Sequence, residues 1–372
     1  FDMFDTLVTR PFYVPSDMFS LLNNIFIQLF NPIKAVDFSK IRKKSEAELR
    51  NINYKKGIPE VTLDGIYEYI SNTYNLDKKK LEKIKDKEKE MELHFCNRRN
   101  SGYELYSLAK HLKKKIILTS DIYLPRDLIE SILQKNGYEF DEIYLSSEFL
   151  KTKSSGTLFE YIIDKEKTNK ILHIGDNYES DYEIPKRYNI QSMQLIKASD
   201  VMMGYSRINV KNCGNLYKHF VLFNQDHIPY EEITGVRCSI GIISNKYFDN
   251  PFRPYNSYSD FNGDPYFIGY YALGMQTISL CKWLLEDARK NKIDSISFMA
   301  RDGYLPYEAA KIYAKSIGNY DNIKLNYTYV SRKSLMPLLL KDKSGISLID
   351  TYLNIDKITP RELMNQFEKV IK

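Results

Sequence analysis

Short apolar strands alternate with helices over residues 98–205, and this alternation constrains the fold more than any other feature of the chain. The strand-like runs lie at 115–119, 142–145, 171–174 and 191–196, and helical patterns lie at 102–112, 125–136, 157–166 and 182–188. Such an alternation indicates a parallel sheet with helices on both faces. Ligands bind beyond the carboxyl ends of the strands in sheets of this kind. We therefore expect an α/β, Rossmann-like core with its site at that edge.

Residues 1–8 are predicted to form a strand that ends at Asp2 and the loop at its end, and a long helical region separates them from the alternating part. Apolar residues recur at helical spacing over 16–29, 41–52, 61–74 and 81–95. We predict a core formed by 1–14 and 98–205, with an all-helical insert at 15–97. The segment 206–265 is predicted as a linker or boundary region, because its pattern weakens and its end is rich in Pro, Asn, Asp and Gly.

A second α/β domain is predicted over 266–372. Its expected elements are a helix at 267–290, a strand at 295–300, a helix at 307–317 and a strand at 325–330. The chain begins inside a strand without an initiator Met and stops at Lys372 in a helical pattern. These ends lead us to expect a fragment with a truncated second domain.

Composition favours a globular protein and argues against a nucleic-acid surface. Lys and Arg number 54 against 48 Asp and Glu, so the net charge is only +6. This charge gives a weak preference for anionic ligands and no case for nucleic acid. The cysteines at 96, 213, 238 and 281 show no paired spacing, which indicates reduced thiols in a cytoplasmic protein. The longest uncharged run, 266–281, is shorter than the about 20 residues of a membrane span.

A side chain that could take part in catalysis follows the end of each of four predicted strands. These residues are Asp2, Ser120, Lys153 and the acidic pair Asp176 and Asp181. Phosphoryl transfer requires positive charge and hydrogen-bond donors where negative charge develops, and Lys153 and Ser120 supply them. Asp2 can attack phosphorus as a nucleophile. Asp2 and Asp176 can also hold Mg²⁺, which prefers oxygen ligands.

Each of these residues alone has a simpler structural interpretation. Ser120 is typical of a turn, and Lys153 is typical of a solvated loop. Asp176 and Asp181 flank a helix start, where they could act as N-caps. His173 lies inside a strand and is predicted to be a packed core residue. The common order and placement of the strand-end residues favour the catalytic interpretation.

The order of these motifs resembles that of the haloacid dehalogenase-like (HAD) hydrolase superfamily over about residues 1–200. The matching strings are Phe1-Asp2-Met3-Phe4-Asp5-Thr6-Leu7, Leu118-Thr119-Ser120-Asp121, Lys153 and Gly175-Asp176-Asn177-Tyr178-Glu179-Ser180-Asp181. The resemblance implies that an aspartyl-phosphate forms on Asp2 while Ser120 and Lys153 bind the phosphoryl group. The implied Mg²⁺ ligands are Asp2, Asp176, Asp181 and the backbone carbonyl of Phe4. Further residues implied near the site are Asp5, Thr6, Arg10, Asp121 and Asn177. The insert corresponds to the cap of the superfamily.

Three strings narrow the resemblance to a bacterial group of HAD hydrolases associated with surface-polysaccharide and glycosyltransferase genes. They are the run 1–10, which ends at Arg10, the run Ser120-Asp121-Ile122-Tyr123-Leu124-Pro125 and the run Ala300-Arg301-Asp302-Gly303-Tyr304. This resemblance implies a small phosphorylated substrate, such as a sugar or nucleotide phosphate. It also implies a glycosyltransferase or another protein of glycan assembly as a partner.

Phe4 departs from the superfamily pattern. Related phosphatases have an Asp two residues after the nucleophile, which protonates the leaving group and then activates water. Phe4 cannot move a proton, and loss of such a group costs about 10²- to 10⁴-fold in rate. Asp5 follows it, but its side chain is expected to point away from the site.

Several interpretations of Phe4 stay open. They are a slow phosphatase, a phosphatase with a base from the cap, a phosphotransferase, a non-catalytic binding or scaffold protein in glycan assembly, and a dehalogenase. Dehalogenases of the superfamily do not use Mg²⁺, so the presence of both Asp176 and Asp181 argues against the last.

A second, weaker candidate site lies in the C-terminal domain. The run Arg301-Asp302-Gly303-Tyr304-Leu305-Pro306 repeats the pattern of 120–125 after a predicted strand. Arg301 and Asp302, with Arg332 after the next strand, predict an anion site. A helix cap with surface charge is the alternative.

Overall fold

The computed structural model describes residues 1–31, 37–168, 170–203, 230–253, 264–330, 359, 361, 362 and 365. The chain forms two compact units, Phe1–Gly263 and Asp264–Lys372. Both contain parallel strand pairs and helices, which confirms the predicted α/β class. Arg332 and most of the predicted C-terminal helical material lie outside the described residues.

The strands of the first unit are short. They are β1 (Val8–Thr9), β2 (Asn97–Arg98), β3 (Ile117–Ser120), β4 (Glu142–Leu145), β5 (Leu172–Gly175) and β6 (Gln191–Gln194). The α-helices are α1 (Asn23–Phe30), α2 (Phe38–Lys55), α3 (Leu63–Tyr74), α4 (Lys78–Phe95), α5 (Asn100–His111), α6 (Arg126–Lys135), α7 (Ser146–Phe149), α8 (Thr157–Glu166), α9 (Ile184–Arg187), α10 (Ala198–Met203) and α11 (Tyr230–Tyr247). A 3₁₀-helix spans Pro15–Leu22 and a π-helix spans Tyr178–Glu183.

The first two residues lie between two parallel strand pairs and join them. Strand β3 pairs with β4, and β5 pairs with β6. Asp2 forms a parallel bridge to Thr119, and the Asp2 N–H donates to the Ile174 carbonyl at 2.8 Å. The Thr119 N–H donates to the Phe1 carbonyl at 2.9 Å. The carboxyl ends of these strands therefore meet beside Asp2.

The loop predicted after the first strand is a tight turn, because the chain turns back directly after Met3. Asp5 has a left-handed backbone with φ of 55°, and its N–H donates to the Val8 carbonyl at 2.7 Å. The N–H groups of Leu7 and Val8 both donate to the Met3 carbonyl, at 2.8 and 3.0 Å. Regular pairing resumes at β1, which is antiparallel to β2. This turn comprises residues 2–8 and is called the nucleophile loop, after the predicted nucleophile Asp2.

The helical region between β1 and β2 begins with the 3₁₀-helix and α1, where one continuous helix was predicted at 16–29. Helices α2–α4 follow. Its apolar faces share a core with the sheet; the fully buried residues include Leu22, Phe38, Ile66, Ile70 and Leu81. Arg42 lies inside this region and binds both oxygens of Glu88, at 3.0 and 2.8 Å. The Leu63 N–H donates to the Tyr123 carbonyl at 3.0 Å, so α3 begins against the loop that follows β3.

Helix α11, which is 18 residues long, lies inside the segment 206–265 that the sequence predicts as a linker or boundary region, and it packs within the first unit. Arg237 Nε lies 2.7 Å from Asp17 Oδ1. A Cβ atom at Gly241 would lie 2.5 Å from the backbone of Phe12, so only glycine allows this close approach. The sequence pattern missed the helix because its apolar residues do not form one stripe.

The second unit contains a parallel pair of strands with helices. Its described elements are α12 (Pro265–Ile268), a π-helix at Gly269–Leu273, α13 (Gly274–Lys290), β7 (Ser295–Met299), α14 (Tyr304–Ile317) and β8 (Lys324–Thr328). Strand β7 pairs with β8 in register from Ser295 with Lys324. These elements begin and end within a few residues of the predicted bounds. Across the described parts of both units, no helix is long and apolar enough to cross a membrane.

Candidate active site

Three buried charged side chains from different strand ends meet at the carboxyl edge of the sheet. Lys153 Nζ lies 2.5 Å from Asp2 Oδ1 and 2.6 Å from Asp181 Oδ1. Each of the three residues is at most 5% exposed. The Thr6 hydroxyl donates to the other oxygen of Asp2 at 3.1 Å, so both oxygens of that carboxylate are held. The structure thus brings together Asp2, Thr6, Lys153 and Asp181.

Asp176 completes an acidic cluster that fits a hard divalent cation. One carboxylate oxygen from each of Asp2, Asp176 and Asp181 lies within 4.8 Å of the others. Burial raises the pKa of Asp176 well above its usual range, and the charges of Asp2, Asp5 and Asp181 raise it further. A divalent cation would remove this repulsion, and carboxylate oxygens are the ligands that Mg²⁺ prefers.

The charges of this cluster leave Asp2 available as a nucleophile. Burial raises the pKa of Asp2 to about 6, and Lys153 opposes that rise. Burial also acts against ionised Asp181, but Lys153 and His173 hold its pKa well below the usual range. Lys153 itself stays protonated, because Asp181 and Asp2 outweigh the effect of burial on its pKa. At neutral pH the site therefore contains an ionised Asp2, which is chemically able to act as a nucleophile, beside the positive charge of Lys153.

His173 supports Asp181 from behind, a role that the sequence did not predict. Its Nε2 lies 2.9 Å from Asp181 Oδ1, and its ring packs edge-on against Phe159. Burial lowers the pKa of His173 to about 4, so the neutral ring donates its N–H to the carboxylate. Gly175 is necessary for this arrangement, because a Cβ atom there would overlap the Asp181 side chain. His173 is therefore both a packed core residue, as predicted, and a support of the site.

Ser120 lies at the end of β3 and is 3% exposed. None of the described side chains or backbone groups hydrogen-bonds its hydroxyl, which leaves that group available to a ligand. Asp121 binds the loop around Lys153 instead: its carboxylate accepts from the N–H groups of Lys153 at 2.7 Å and Ser154 at 3.2 Å. Asp121 therefore positions the lysine.

Asn177 stabilises the turn that carries Asp181. Its side-chain oxygen accepts from the N–H groups of Glu179 and Ser180, both at 3.0 Å, so it caps the following π-helix. Its own N–H donates to Asp181 Oδ2 at 3.1 Å. With the bonds from Lys153 and His173, this contact fixes both oxygens of Asp181.

Asp5 forms an ion pair with a lysine that the sequence pattern did not predict near the site. Lys197, which follows β6, places Nζ 2.7 Å from Asp5 Oδ2. The charge of Lys197 also lowers the pKa of Asp176, so it acts on the acidic cluster. A basic residue beyond the carboxyl end of β6 was the available signal. The ion pair leaves Asp5 poorly suited to donate a proton to a leaving group.

Arg10 contacts Phe4 and the helical region. Its guanidinium lies over the Phe4 ring, 4.1 Å from the centroid. The same group binds Glu92 of α4 twice, with distances of 2.8 and 3.1 Å. Arg10 therefore holds the phenyl ring of Phe4 in place two residues after Asp2.

The second-unit candidates form an exposed pair. Arg301 and Asp302 are 91% and 92% exposed in their side chains, and their nearest charged atoms lie 3.5 Å apart. Arg301 has a left-handed backbone with φ of 73°, and its N–H donates to the Tyr327 hydroxyl at 2.9 Å. Because Arg332 lies outside the described residues, the anion site stays a prediction.

Comparisons with known proteins give little beyond this geometry. No family model matches the chain, and no curated protein matches it. Among solved structures, the chain is similar to a 2-haloacid dehalogenase from Pseudomonas syringae pv. tomato DC3000, with 10% sequence identity and a TM-score of 0.39. The match covers 60% of this chain and 96% of that one. This similarity is too low for residue roles to be transferred.

Proposed function

We propose that the protein is a HAD-like, Mg²⁺-dependent phosphomonoesterase of the cytoplasm. Its proposed substrate is a small sugar or nucleotide phosphate of surface-glycan metabolism, handled with a glycosyltransferase or another glycan-assembly protein. The observation that carries the proposal is the placement of Lys153 between Asp2 and Asp181, with Asp176 beside them at the carboxyl ends of parallel strands. Nucleophile, positive charge and oxygen ligands are thereby present in one place.

The reaction would proceed in two displacements at phosphorus. An Asp2 oxygen forms a bond to phosphorus while the bond to the leaving oxygen breaks, which leaves an aspartyl-phosphate. The oxygen of a water molecule then attacks phosphorus, the bond to Asp2 breaks, and phosphate and the carboxylate are released. Lys153 and the Ser120 hydroxyl would hold phosphoryl oxygens, and Thr6 would keep the Asp2 side chain in its rotamer.

A divalent metal suits the same residues. Bound to Asp2, Asp176 and Asp181, with the Phe4 backbone carbonyl as a further proposed ligand, Mg²⁺ would shield the negative charge of the phosphoryl group from the nucleophile. The close approach of three carboxylates supports this assignment: burial first, and then the charges of Asp2, Asp5 and Asp181, raise the pKa of Asp176, and a divalent cation would offset both effects.

Phe4 restricts the substrates that such a site could process. No proton donor stands at that position, and Arg10 packs against the ring. The leaving group must therefore depart as an anion or take its proton from water. We expect activity to favour phosphates with acidic leaving groups, such as aryl and anomeric sugar phosphates, over simple alkyl phosphates.

Phosphate release tests the proposal. Wild type, Asp2→Asn and the exposed control Asp164→Asn are assayed on aryl, sugar and nucleotide phosphates with Mg²⁺ or with EDTA. We expect release by wild type and Asp164→Asn with Mg²⁺ alone, and none by Asp2→Asn. A BeF₃⁻ adduct that requires Asp2 would support a slow enzyme. If no substrate releases phosphate and the protein does not bind Mg²⁺, the proposal that it is an enzyme is refuted.

Phe4 supports one alternative, a HAD-fold binding or scaffold protein in glycan assembly without turnover. In that case phosphorylated ligands would protect the protein against unfolding, yet no phosphate would be released. A dehalogenase is the third candidate. Halide release from 2-haloacids in the presence of EDTA would identify it, and the acidic cluster argues against it.

A further inference from the structure

Arg99 is a buried arginine that joins three distant segments. Its side chain is fully buried, and all five of its N–H donors are used. Nε donates to Asp249 Oδ1 at 3.1 Å, and one terminal nitrogen donates to the carbonyls of Ile196 at 2.7 Å and Asp249 at 2.6 Å. The other terminal nitrogen donates to the carbonyls of Leu195, at 3.1 Å, and Asp5. The guanidinium thus contacts the nucleophile loop directly.

Asp249 supplies the charge that Arg99 requires. It follows α11, and its carboxylate also accepts from the Ser101 N–H at 2.8 Å. The Ser101 hydroxyl donates to the Asp249 carbonyl at 3.0 Å. A buried guanidinium is stable only with such partners, because an unpaired charge in a protein interior is strongly destabilising. Arg99 therefore depends on a residue 150 positions downstream.

The contacts of Arg99 fix both sides of Asp5. Its bond to the Asp5 carbonyl holds the left-handed turn, which the Asp5 N–H closes onto the Val8 carbonyl. Its bonds to Leu195 and Ile196 hold the chain that leads directly to Lys197, the ion partner of Asp5. A shift of this turn would move Asp2, which lies only three residues earlier.

Helix α11 also contacts the chain at the start of the helical region. Asn245 Nδ2 donates to the Arg10 carbonyl at 2.8 Å, and the Thr234 hydroxyl lies 3.1 Å from that of Ser20. The segment 230–249, the strap, therefore touches the chain where it leaves the sheet for the helical region and, through Asp249, where it returns.

We propose that Arg99, neutralised by Asp249 at the end of the strap, is a positioning residue for the nucleophile loop. This proposal rests on the proposed function for its kinetic consequences, whereas its structural consequence is independent of activity. Arg99 acts through the Asp5 carbonyl and contacts neither substrate nor metal ligands in this scheme.

The test uses Asp249→Asn and Arg99→Lys in the full chain. Asparagine removes the charge with little change in shape, and lysine keeps the charge but cannot reach all five acceptors. The matched control is Asp17→Asn. Asp17 is a buried carboxylate that binds Arg237 of helix α11, and it does not belong to the contacts of Arg99 with the nucleophile loop. Amide hydrogen exchange is measured for residues 2–8, where the N–H groups of Asp5, Leu7 and Val8 are bonded within the loop.

We expect exchange in the nucleophile loop to rise at least 10-fold in Asp249→Asn and Arg99→Lys, and to stay unchanged in Asp17→Asn at equal loss of melting temperature. With Mg²⁺ and an aryl phosphate, kcat should fall about 10- to 100-fold while KM changes little, because a displaced nucleophile reacts poorly with substrate that is still bound. Unchanged loop exchange in both variants, or an equal rise in the control, would overturn the proposal. If wild type releases no phosphate, the proposed function fails, and the exchange experiment still decides the role of Arg99.

Discussion

Replacement of Asp2 by Asn should stabilise the protein in the absence of metal. Burial raises the pKa of Asp2 from 3.8 to about 6, so the folded protein binds this proton more tightly than the unfolded chain does. The protonated carboxyl consequently contributes stability that is fully present below about pH 4 and is lost as the pH rises through 6. Asparagine resembles the protonated carboxyl at every pH and should retain that stability.

The size of the effect follows from the shift in pKa. A change of about 2 in pKa corresponds to about 3 kcal/mol, at about 1.4 kcal/mol for each unit of pKa. For a unit of more than 200 residues, each kcal/mol moves the melting temperature by about 2 to 4 °C. We therefore expect Asp2→Asn to melt on the order of 10 °C above wild type at pH 7.5 in EDTA. The two proteins should converge near pH 4.

Thermal unfolding followed by circular dichroism between pH 4 and 8 measures this difference, with Asp164→Asn as the exposed control. Mg²⁺ at about 1,000 times its Kd should reverse the order, because wild type with its complete set of ligands then gains about 4.1 kcal/mol, more than the about 3 kcal/mol that separates the two proteins. The reasoning would be refuted by a difference between wild type and Asp2→Asn that does not change with pH. A lower melting temperature of the variant at pH 7.5 in EDTA would refute it equally.

Three further experiments, two with substitutions and one with a series of substrates, test the remaining parts of the site. Lys153→Met should reduce phosphate release about 10²- to 10³-fold, the usual effect of removing one charge-stabilising donor, whereas Lys151→Met should leave the steady-state rate near wild type. Gly175→Ala should push the Asp181 side chain aside and weaken Mg²⁺ binding, which calorimetry would detect as a higher Kd; unchanged affinity would exclude Asp181 as a ligand. Rates measured over a series of aryl and alkyl phosphates should fall steeply as leaving groups become more basic, and a flat dependence would reveal a proton donor that replaces Phe4.

The parts of the site that were predictable are those fixed by local patterns. The apolar runs that end at Ser120 and Gly175 are short and bounded by polar residues, so the period of the sequence locates them. The rule that parallel strands share a carboxyl edge then brings Asp2, Lys153 and Asp181 together without knowledge of any distance. The parallel pairing of β3 with β4 and of β5 with β6 follows from the same rule.

The missed residues depend on contacts that no local pattern records. His173 contacts Asp181 in a place where Gly175 leaves room for the Asp181 side chain, and the period of a strand does not show that space. Arg99 and Asp249 are 150 residues apart, and neither lies in a motif. The left-handed backbone of Asp5 was equally hidden, because the prediction of a loop does not fix the φ of any residue within it.

Phe4 shows that the two halves of this site have separate structural origins. The half that would bind the phosphoryl group rests on strand ends and is complete, with Lys153 held by two carboxylates. The half that would serve the leaving group depends on the chain after Asp2, where Arg10 lies between the Phe4 ring and Glu92 of the helical region. The aromatic ring therefore packs against a buried ion pair, so its position is fixed by Arg10 and Glu92. Such an arrangement suits a site that binds phosphoryl groups firmly and transfers them only from substrates whose leaving groups need no proton.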